Sequence, residues 1–455
     1  MSLSTARGEI GTHHQSRPLA EEDQCQTGDG SPINMSLATL QSLTCACNAV
    51  RLKLQHDYRP MRCFSFRLPS CAATTSGAKK HLHAKYYGIP SDNNNSSRPC
   101  RRQDLSEVSV MKFSLFVHME RWDESVSHRQ LFEDLTELTL MAEQGGFSTV
   151  WIGEHHAMEY TISPSPMPLL AYLAARTTRI HLGAGTIIAP FWHPLRVAGE
   201  CALLDVISNG RMEVGMARGA YQVEFDRMAG GMPASEGGKA LREMVPVVRA
   251  LWQGDYAHDG DIWKFPTSTS VPKPINTPPM WIAARDPDSH NFAVQNGCNV
   301  MVTPLMKGDE EVVDLKNKFE AALVNNPDVP RPQLMVLRHT HVHAADDPEG
   351  WKVGATAIAK FYRTFDAWFG NKQTPVNGFL APSPEEKFKE RSEFELENIR
   401  KNTMIGTPEE IIPRIRHYQA LGVDEFSFWC DNSLPHAEKK KSLELFIKHV
   451  VPVFR

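Results

Sequence analysis

From Met111 onward, apolar residues recur with two alternating periods, one short and alternating, the other helical. Runs rich in β-branched and aromatic residues, bounded by glycine, asparagine or proline, predict strands at 112–117, 148–152, 179–186, 211–217, 280–284, 299–303, 333–343 and 424–430. Between them the spacing turns helical. Leu131, Leu135, Leu138 and Ala142 form one face, and a second helix is expected at 167–176. Leu195, Ala198, Ala202 and Leu204 lead to an Asn209-Gly210 stop, and Leu241, Met244, Val248 and Leu251 give a strongly amphipathic helix at 239–252. Further helices are expected at 289–296, 310–324 and 437–450. Ser127-His-Arg-Gln130 and Thr407-Pro408-Glu409-Glu410 carry the capping-box spacing, the second with proline at the first helical position. A polar stretch at 254–274 suggests a hairpin around 258–265, and 351–401 reads as an irregular run with helical patches and a loop at 370–384.

Eight strands alternating with helices over about 345 residues fit one (β/α)8 TIM barrel with an insertion after strand seven. A doubly wound open sheet is the other architecture for such a pattern, but G-x-G-x-x-G after the first strand is absent. Residues 1–110 differ in kind. They mix Ser, Thr, Asn, Arg and His with few periodic apolar positions, so they read as a low-order N-terminal extension to a barrel domain at 111–455. Met111 would make a natural start, since MKFSLF opens a clean strand.

Charge and cysteines narrow the class. A net charge of −4 gives no electrostatic case for nucleic acid or anionic lipid, and the chain has no apolar run long enough to span a bilayer. Six of nine cysteines fall before residue 110 in spacings that match no zinc pattern. Cys201, Cys298 and Cys430 stand alone, as expected of a cytoplasmic protein without a disulfide framework. Early acidic residues (Glu9, Glu21, Glu22, Asp23) argue against a transit peptide.

In a (β/α)8 barrel, chemistry sits where strands hand over to helices. Those junctions hold Glu154, His155 and His156 after strand two, and Gly185-Thr186 after strand three. Ala217, Arg218, Gly219, Ala220 and Tyr221 follow strand four, Arg285, Asp286 and Ser289 follow strand five, and Thr303 ends strand six. Arg218 beside Gly219 suits phosphate, because guanidinium binds it bidentately and glycine lets backbone N–H groups approach. An ion pair of Arg218 with Glu224 or Asp226 is the competing assignment. Ser289 is either a helix cap or a second anion position, and the two histidines are either loop residues or proton carriers. Phe191, Trp192, Trp281, Met301 and Met306 are candidates for an apolar mouth and equally for the core.

MKFSLF, GGFSTVWIGEHH, RIHLGAGTIIAPFWHPLRVAGE, LLDVISNGRMEVGMARGAYQVEF and GTPEEIIPRIRHYQALGVDEFSF occur in the order and spacing of a known family. Residues 111–455 resemble the bacterial luciferase-like, flavin-dependent monooxygenases, most of all the alkanal-monooxygenase branch. The resemblance implies reduced FMN (FMNH2) over the barrel mouth, reacting with O2 to give a C4a-hydroperoxyflavin that oxygenates a small apolar substrate. A separate NAD(P)H:flavin reductase is implied, since no second flavin or nicotinamide module is readable, and so is a homodimer. By position, His155 matches the catalytic histidine, with Glu154 beside it. Gly185-Thr186 matches a junction where the family often has a non-proline cis peptide. Ala217, Arg218, Ala220 and Tyr221 match flavin- or phosphate-contacting positions, Ser289 a phosphate-contacting hydroxyl, and 378–401 a lid. Three departures stand out. Lys239 replaces a phosphate-binding arginine, Ala217 a reactive cysteine, and Arg285-Asp286 a Glu-Ser pair, with Arg285 itself able to bind phosphate.

Other functions remain on the table at this level. The same fold serves the deazaflavin F420, and a non-catalytic flavin-binding protein would use the same phosphate residues. A metal-dependent barrel hydrolase would draw on His339, His341 and His343, which a strand places on one face. Metal hydrolases of that shape carry H-x-H on their first strand, whereas this run is on the seventh, so no metal is expected.

Overall fold

The structure, a computed structural model, describes residues 110–455 apart from positions 123, 371 and 372. The extension expected at 1–110 lies, apart from Val110, outside the described residues. In chain order the elements are β1 (Lys112–Val117), α1 (His128–Gln144), β2 (Thr149–Ile152), α2 (Pro166–Ala174), β3 (His181–Ile188), α3 (Pro194–Ser208) and β4 (Met212–Ala217). Then come α4 (Gln222–Met228), α5 (Gly237–Gln253), a hairpin of β5 (Tyr256–Asp259) and β6 (Lys264–Ser268), β7 (Met280–Ala283), α6 (Pro287–Gln295) and β8 (Asn299–Val302). The chain closes with α7 (Asp309–Asn325), β9 (Leu334–Val342), α8 (Gly350–Gly370), α9 (Leu396–Asn402), β10 (Met404–Gly406), α10 (Pro408–Ala420), β11 (Glu425–Trp429) and α11 (His436–Leu445). Parallel pairing runs β9-β11-β1-β2-β3-β4-β7-β8, and β8 returns to β9, so the sheet closes into a (β/α)8 barrel. All eight expected barrel strands are present. Among the described residues no helix is long and apolar enough to cross a membrane.

Differences from the sequence reading are local. The stretch after strand seven is not irregular at its start. α8 is a continuous helix that buries Trp351, Ala355, Ile358, Phe361 and Tyr362 at helical spacing. Its threonines and aromatics have modest intrinsic propensity, so packing rather than composition makes the helix. β10 adds a short strand beside β9. Ser289 does not cap α6. Asp286 does, its carboxylate accepting the Ser289 N–H at 2.9 Å. At α1, Ser127 accepts the Gln130 N–H, but the Gln130 side chain turns to Asp134, leaving half a box. At α10 the box is complete.

Outward residues of the strands pack on the helices, and inward residues fill the barrel. Trp151 of β2 and Trp281 of β7 meet edge-to-face across the axis, ring centroids 5.5 Å apart. Each indole N–H has a carboxylate: Trp151 donates to Glu425 at 3.2 Å and Trp281 to Glu213 at 2.7 Å. The indole of Trp151 takes the room a side chain on Gly183 would need, since a Cβ there would lie 2.1 Å from its ring. The pair forms a floor, and the barrel below it is closed.

Burial pushes the Glu425 carboxyl up to about 7, the Trp151 N–H acting the other way and Glu213 reinforcing the rise. The folded chain therefore holds a proton that the unfolded chain releases near pH 4 to 5. The stability contribution is complete below that range and is lost as pH rises through about 7, roughly 3 kcal/mol in all. Glu425→Gln keeps an acceptor for Trp151 and removes the titration. Its melting temperature is expected to fall less than that of the wild type between pH 5 and pH 8. Parallel pH profiles would contradict the assignment.

Candidate active site

At the C-terminal ends of β2, β3, β4 and β7, four adjacent strands, the inward positions are Gly153, Gly185, Ala217 and Ala283. On the other half of the ring they are Phe116, Met301, Leu337 and Trp429. Almost no side chain on one side and large ones on the other leave a hollow of about 320 Å³ above the tryptophan floor. The Gly185–Thr186 peptide that borders it is cis.

Glu154 and His155 both line this hollow but are held differently. Glu154 is buried and spent on structure. It accepts from His156 Nε2 at 2.7 Å, the Ile188 N–H at 3.0 Å and Trp192 Nε1 at 2.9 Å, tying the end of β2 to the end of β3. Burial raises its carboxyl above the ordinary range against those hydrogen bonds. His155 faces the cavity, with Nδ1 3.1 Å from Glu224 of α4. The second oxygen of Glu224 accepts the His156 N–H at 2.7 Å, so the carboxylate fixes both backbone and ring. Tyr221 is buried behind the hollow, its ring 5.3 Å from that of His155. Next to His155 stands His118, 4.9 Å away ring to ring, which also lines the hollow. Burial, and then the neighbouring His155 and His339, hold its pKa well below the usual imidazole range.

A smaller cavity of about 250 Å³ shares Arg218, Ala283 and Arg285 with the hollow and adds Ser235, Gly238, Arg242, Asp286 and Ser289. Arg285 is occupied, bonded to the Thr303 carbonyl and to Glu311, both at 2.7 Å. The Ser289 hydroxyl donates to the Asp286 carbonyl at 2.9 Å. Arg218 and Arg242 make no close ion pair among the described residues, since Glu224 takes His155 and Asp226 takes Gln222, although the Asp286 carboxylate across the cavity feels the Arg218 charge. Two guanidiniums at one small cavity with a single carboxylate, that of Asp286, leave a positive balance that would suit an anion. Lys239 is not part of that cavity. Gly238, Leu241 and Arg242 share a helix face, and Lys239 points about 100° away, its ammonium exposed and 3.2 Å from Glu236. Gly237 lets α5 begin here, because a Cβ would lie 2.0 Å from the Arg218 carbonyl.

A third cavity, about 660 Å³, meets the hollow at Leu305 and is walled by Tyr362, Phe365 and Phe369 of α8 and by Phe388 and Phe394. Phe388 and Phe394 come from the stretch expected as a lid. Their rings lie 4.3 Å apart under the Arg391 guanidinium. Tyr221 bridges the cavities, 5.6 Å from Phe365. The histidine run of β9 goes to packing. His339 stacks on Trp429 at 4.0 Å and bonds Tyr362 at 2.7 Å, while His341 reaches the Gly350 carbonyl. No group of three or more metal-ligating side chains occurs among the described residues.

The structure thus brings together His155, Glu154, Gly185, Thr186, Ala217, Arg218, Ala220 and Arg285, with Ser289 next door and Lys239 outside. Sequence reasoning missed His118, Glu224 as the partner of His155, and Arg242. His118 was within reach, since it continues the inward row Ser114, Phe116 of β1. Arg242 follows from helix phase once the start of α5 is known.

Glu154→Ala leaves three donors without their acceptor and is expected to cost about 3 kcal/mol in urea denaturation. His155→Ala, at the cavity edge where water can reach the freed Glu224 oxygen, is expected to cost about 1 kcal/mol. Equal losses would show that Glu154 is not the clamp.

Residues 111–425 match the family described as luciferase-like monooxygenase. The oxygenase component of a flavin-dependent trigonelline monooxygenase from Acinetobacter baylyi is 48% identical over 346 residues, spanning 76% of this chain and 96% of that protein. Among solved structures, monooxygenase RslO1 from Streptomyces bottropensis superposes with a TM-score of 0.65 at 26% identity, over 76% of this chain and all of that one. The oxygenating constituent of 3,6-diketocamphane monooxygenase from Pseudomonas putida, a type II Baeyer–Villiger monooxygenase in complex with FMN, gives 0.62 at 18% identity over 75% and 98% of the two chains, a likeness of fold. The chain belongs to the luciferase-like monooxygenase family.

Proposed function

We propose that this flavin-dependent monooxygenase is the oxygenase component of a two-component system, taking reduced FMN from a separate NAD(P)H:flavin reductase and using it with O2 to oxygenate a small organic substrate. One observation carries the reading. A narrow hollow bordered by glycine and alanine adjoins a small cavity where the Arg218 and Arg242 guanidiniums outnumber the one Asp286 carboxylate, which suits a flat ring tethered to a phosphate. Arg218 and Arg242 hold the phosphate, and Ser289 and Arg285 complete its rim. Gly185, Thr186, Ala217 and Ala220 border the ring, while Tyr221 backs His155. When bound, the flavin supplies the activation of O2. This chain's residues supply the rest. Glu224 orients His155 so that the imidazole nitrogen left free, Nε2, exchanges a proton at the cavity. Glu154 holds the loop that presents it. The aromatic wall of α8 keeps water away.

For the substrate, the relative that acts on trigonelline, a small pyridinium carboxylate, points to a planar N-heteroaromatic compound. Such a ring finds apolar contact along Tyr362, Phe365 and Phe369, and its positive charge gains from their faces. Assay with trigonelline, reduced FMN and O2 is the direct test. Oxygenated product is expected from the wild type, while His155→Ala should bind FMN normally and form at least ~100-fold less product. Arg242→Ala should weaken FMN binding by about 10- to 100-fold and Lys239→Ala by less than about 3-fold. Wild-type FMN affinity in Arg242→Ala together with Arg218→Ala would overturn the phosphate assignment.

The homodimer reading rests on one exposed apolar stripe. Leu203, Val206 and Ile207 of α3 lie at helical spacing with Tyr172 of α2 also exposed, at 48%, 42%, 52% and 44% of full accessibility. Ile207→Glu is expected to yield monomers in sedimentation velocity. A monomeric wild type at micromolar concentration would refute the interface.

A further inference from the structure

Glu224 holds the turn that carries His155 by one N–H and one ring, and the carbonyls of that turn have a second holder. Glu224 and Arg227 lie three residues apart on one face of α4. Glu224 takes the His156 N–H and the His155 ring. Arg227 takes what is left of the same stretch. Its Nη1 donates to the Ala157 carbonyl at 3.1 Å and, less closely, to the His156 carbonyl at 3.4 Å. No backbone N–H among the described residues bonds either carbonyl. Ala157 also needs holding, because its φ of 57° puts a residue with a side chain in the left-handed region. Arg227 is itself ordered. Its guanidinium lies over the indole of Trp368 on α8, 5.8 Å from the ring centroid. The carboxylates nearest in sequence are spent elsewhere, Glu224 on His155 and His156 and Asp226 on Gln222. Tyr221, at the other end of α4, lies 5.6 Å from Phe365 of α8 and 5.3 Å from His155, so the helix touches both the His155 turn and the wall of the larger cavity.

We propose that Arg227 is a positioning residue for His155, fixing the carbonyls of the turn whose N–H and ring Glu224 fixes. Glu224 alone leaves the turn free to pivot about that contact, and a second anchor at the next residue removes the pivot. The role is one of orientation more than of stability. Arg227 is exposed, so water takes over both carbonyls when it is removed, yet water does not hold them in one place. The competing role is that of a cation favouring the C-terminal end of α4, since Arg227 stands in its last turn. Such an effect acts on folding and leaves the reaction of the folded protein unchanged.

The inference rests on the reading of the hollow as the reaction site, and part of its test needs no flavin. The His155 and His156 amides are bonded to the Ser163 carbonyl and to Glu224, so both have protection to lose. In full-length Arg227→Met, which keeps the stem over Trp368 and removes the donors, hydrogen exchange at these two amides is expected to speed at least ~10-fold. The melting temperature should stay within about 3 °C of the wild type. In the trigonelline assay kcat should fall about 10-fold, with KM and FMN affinity within about 3-fold, and a larger share of the O2 should end as hydrogen peroxide. Arg227→Lys, whose ammonium serves one carbonyl, should recover about 3-fold of that loss. Asp226→Ala, beside it on α4, should behave as the wild type. Unchanged exchange in Arg227→Met, or turnover and peroxide yield equal to those of the wild type, overturns the proposal. So does a fall in turnover that only follows a fall in melting temperature, or the absence of any recovery with lysine. Fast exchange in Arg227→Met together with no FMN binding by the wild type would sink the flavin reading and leave the clamp standing.

Discussion

A closed eight-stranded barrel has room on its axis for only a few large side chains per level, and this molecule places two tryptophans there. Trp151 and Trp281 fill the middle level, and each indole N–H requires a polar partner in a space without water. Glu425 and Glu213 meet that need from the level below. Because the indoles take the middle, Gly183 beside them carries no side chain, and the level above is left with glycine and alanine on four adjacent strands. The hollow at the mouth is therefore a consequence of how the barrel is filled. A larger residue at Ala217 or Ala283 would extend the core upward and close it.

Carboxylates then sort by how donors are placed around their oxygens. Glu154, with three donors, is bound into the wall and ties strand ends together. Glu224 has two and divides them between the backbone of His156 and the ring of His155, so orientation of the imidazole is part of the fold of that loop. Glu120 has two donors on one oxygen and none on the other. Acidic residues of the same type thus serve differently within one strand-end region, Glu154 as a clamp and Glu224 as the orienting partner of His155. The distribution of donors over the two oxygens, not residue identity, separates them.

The barrel was legible in the sequence because its strands are short apolar runs buried on both faces, separated by amphipathic helices and stopped by glycine or asparagine. His155, Gly185-Thr186 and Arg218 were legible because strand ends are fixed points in such a fold. What escaped depends on phase and distance. Arg242 reaches the anion cavity only because α5 starts at Gly237, and that start is set by a close approach to the Arg218 carbonyl, invisible in a linear pattern. Glu224 meets His155 across 69 residues. α8 hid for a different reason: its periodicity was present, but Gly350, Gly354 and a run of threonine and aromatic residues masked it, and only packing against the barrel mouth makes it a helix.

That helix also couples the two demands on the site. Phe361 lies 5.2 Å from Trp429 and 5.3 Å from Tyr160, sealing the barrel top, and Tyr362 reaches His339 inside it. One turn on, Phe365 faces Tyr221 and the larger cavity. A rigid helix cannot move one of these faces without the other. The seal over the hollow and the shape of the larger cavity, the proposed places of flavin and substrate, are thus set together. A change in the wall at Phe365 or Phe369 that tilts α8 would disturb the seal over His118 and His155. Substitutions that keep the volume of the wall would leave that seal in place and, on the proposed assignment of the larger cavity, change only substrate preference.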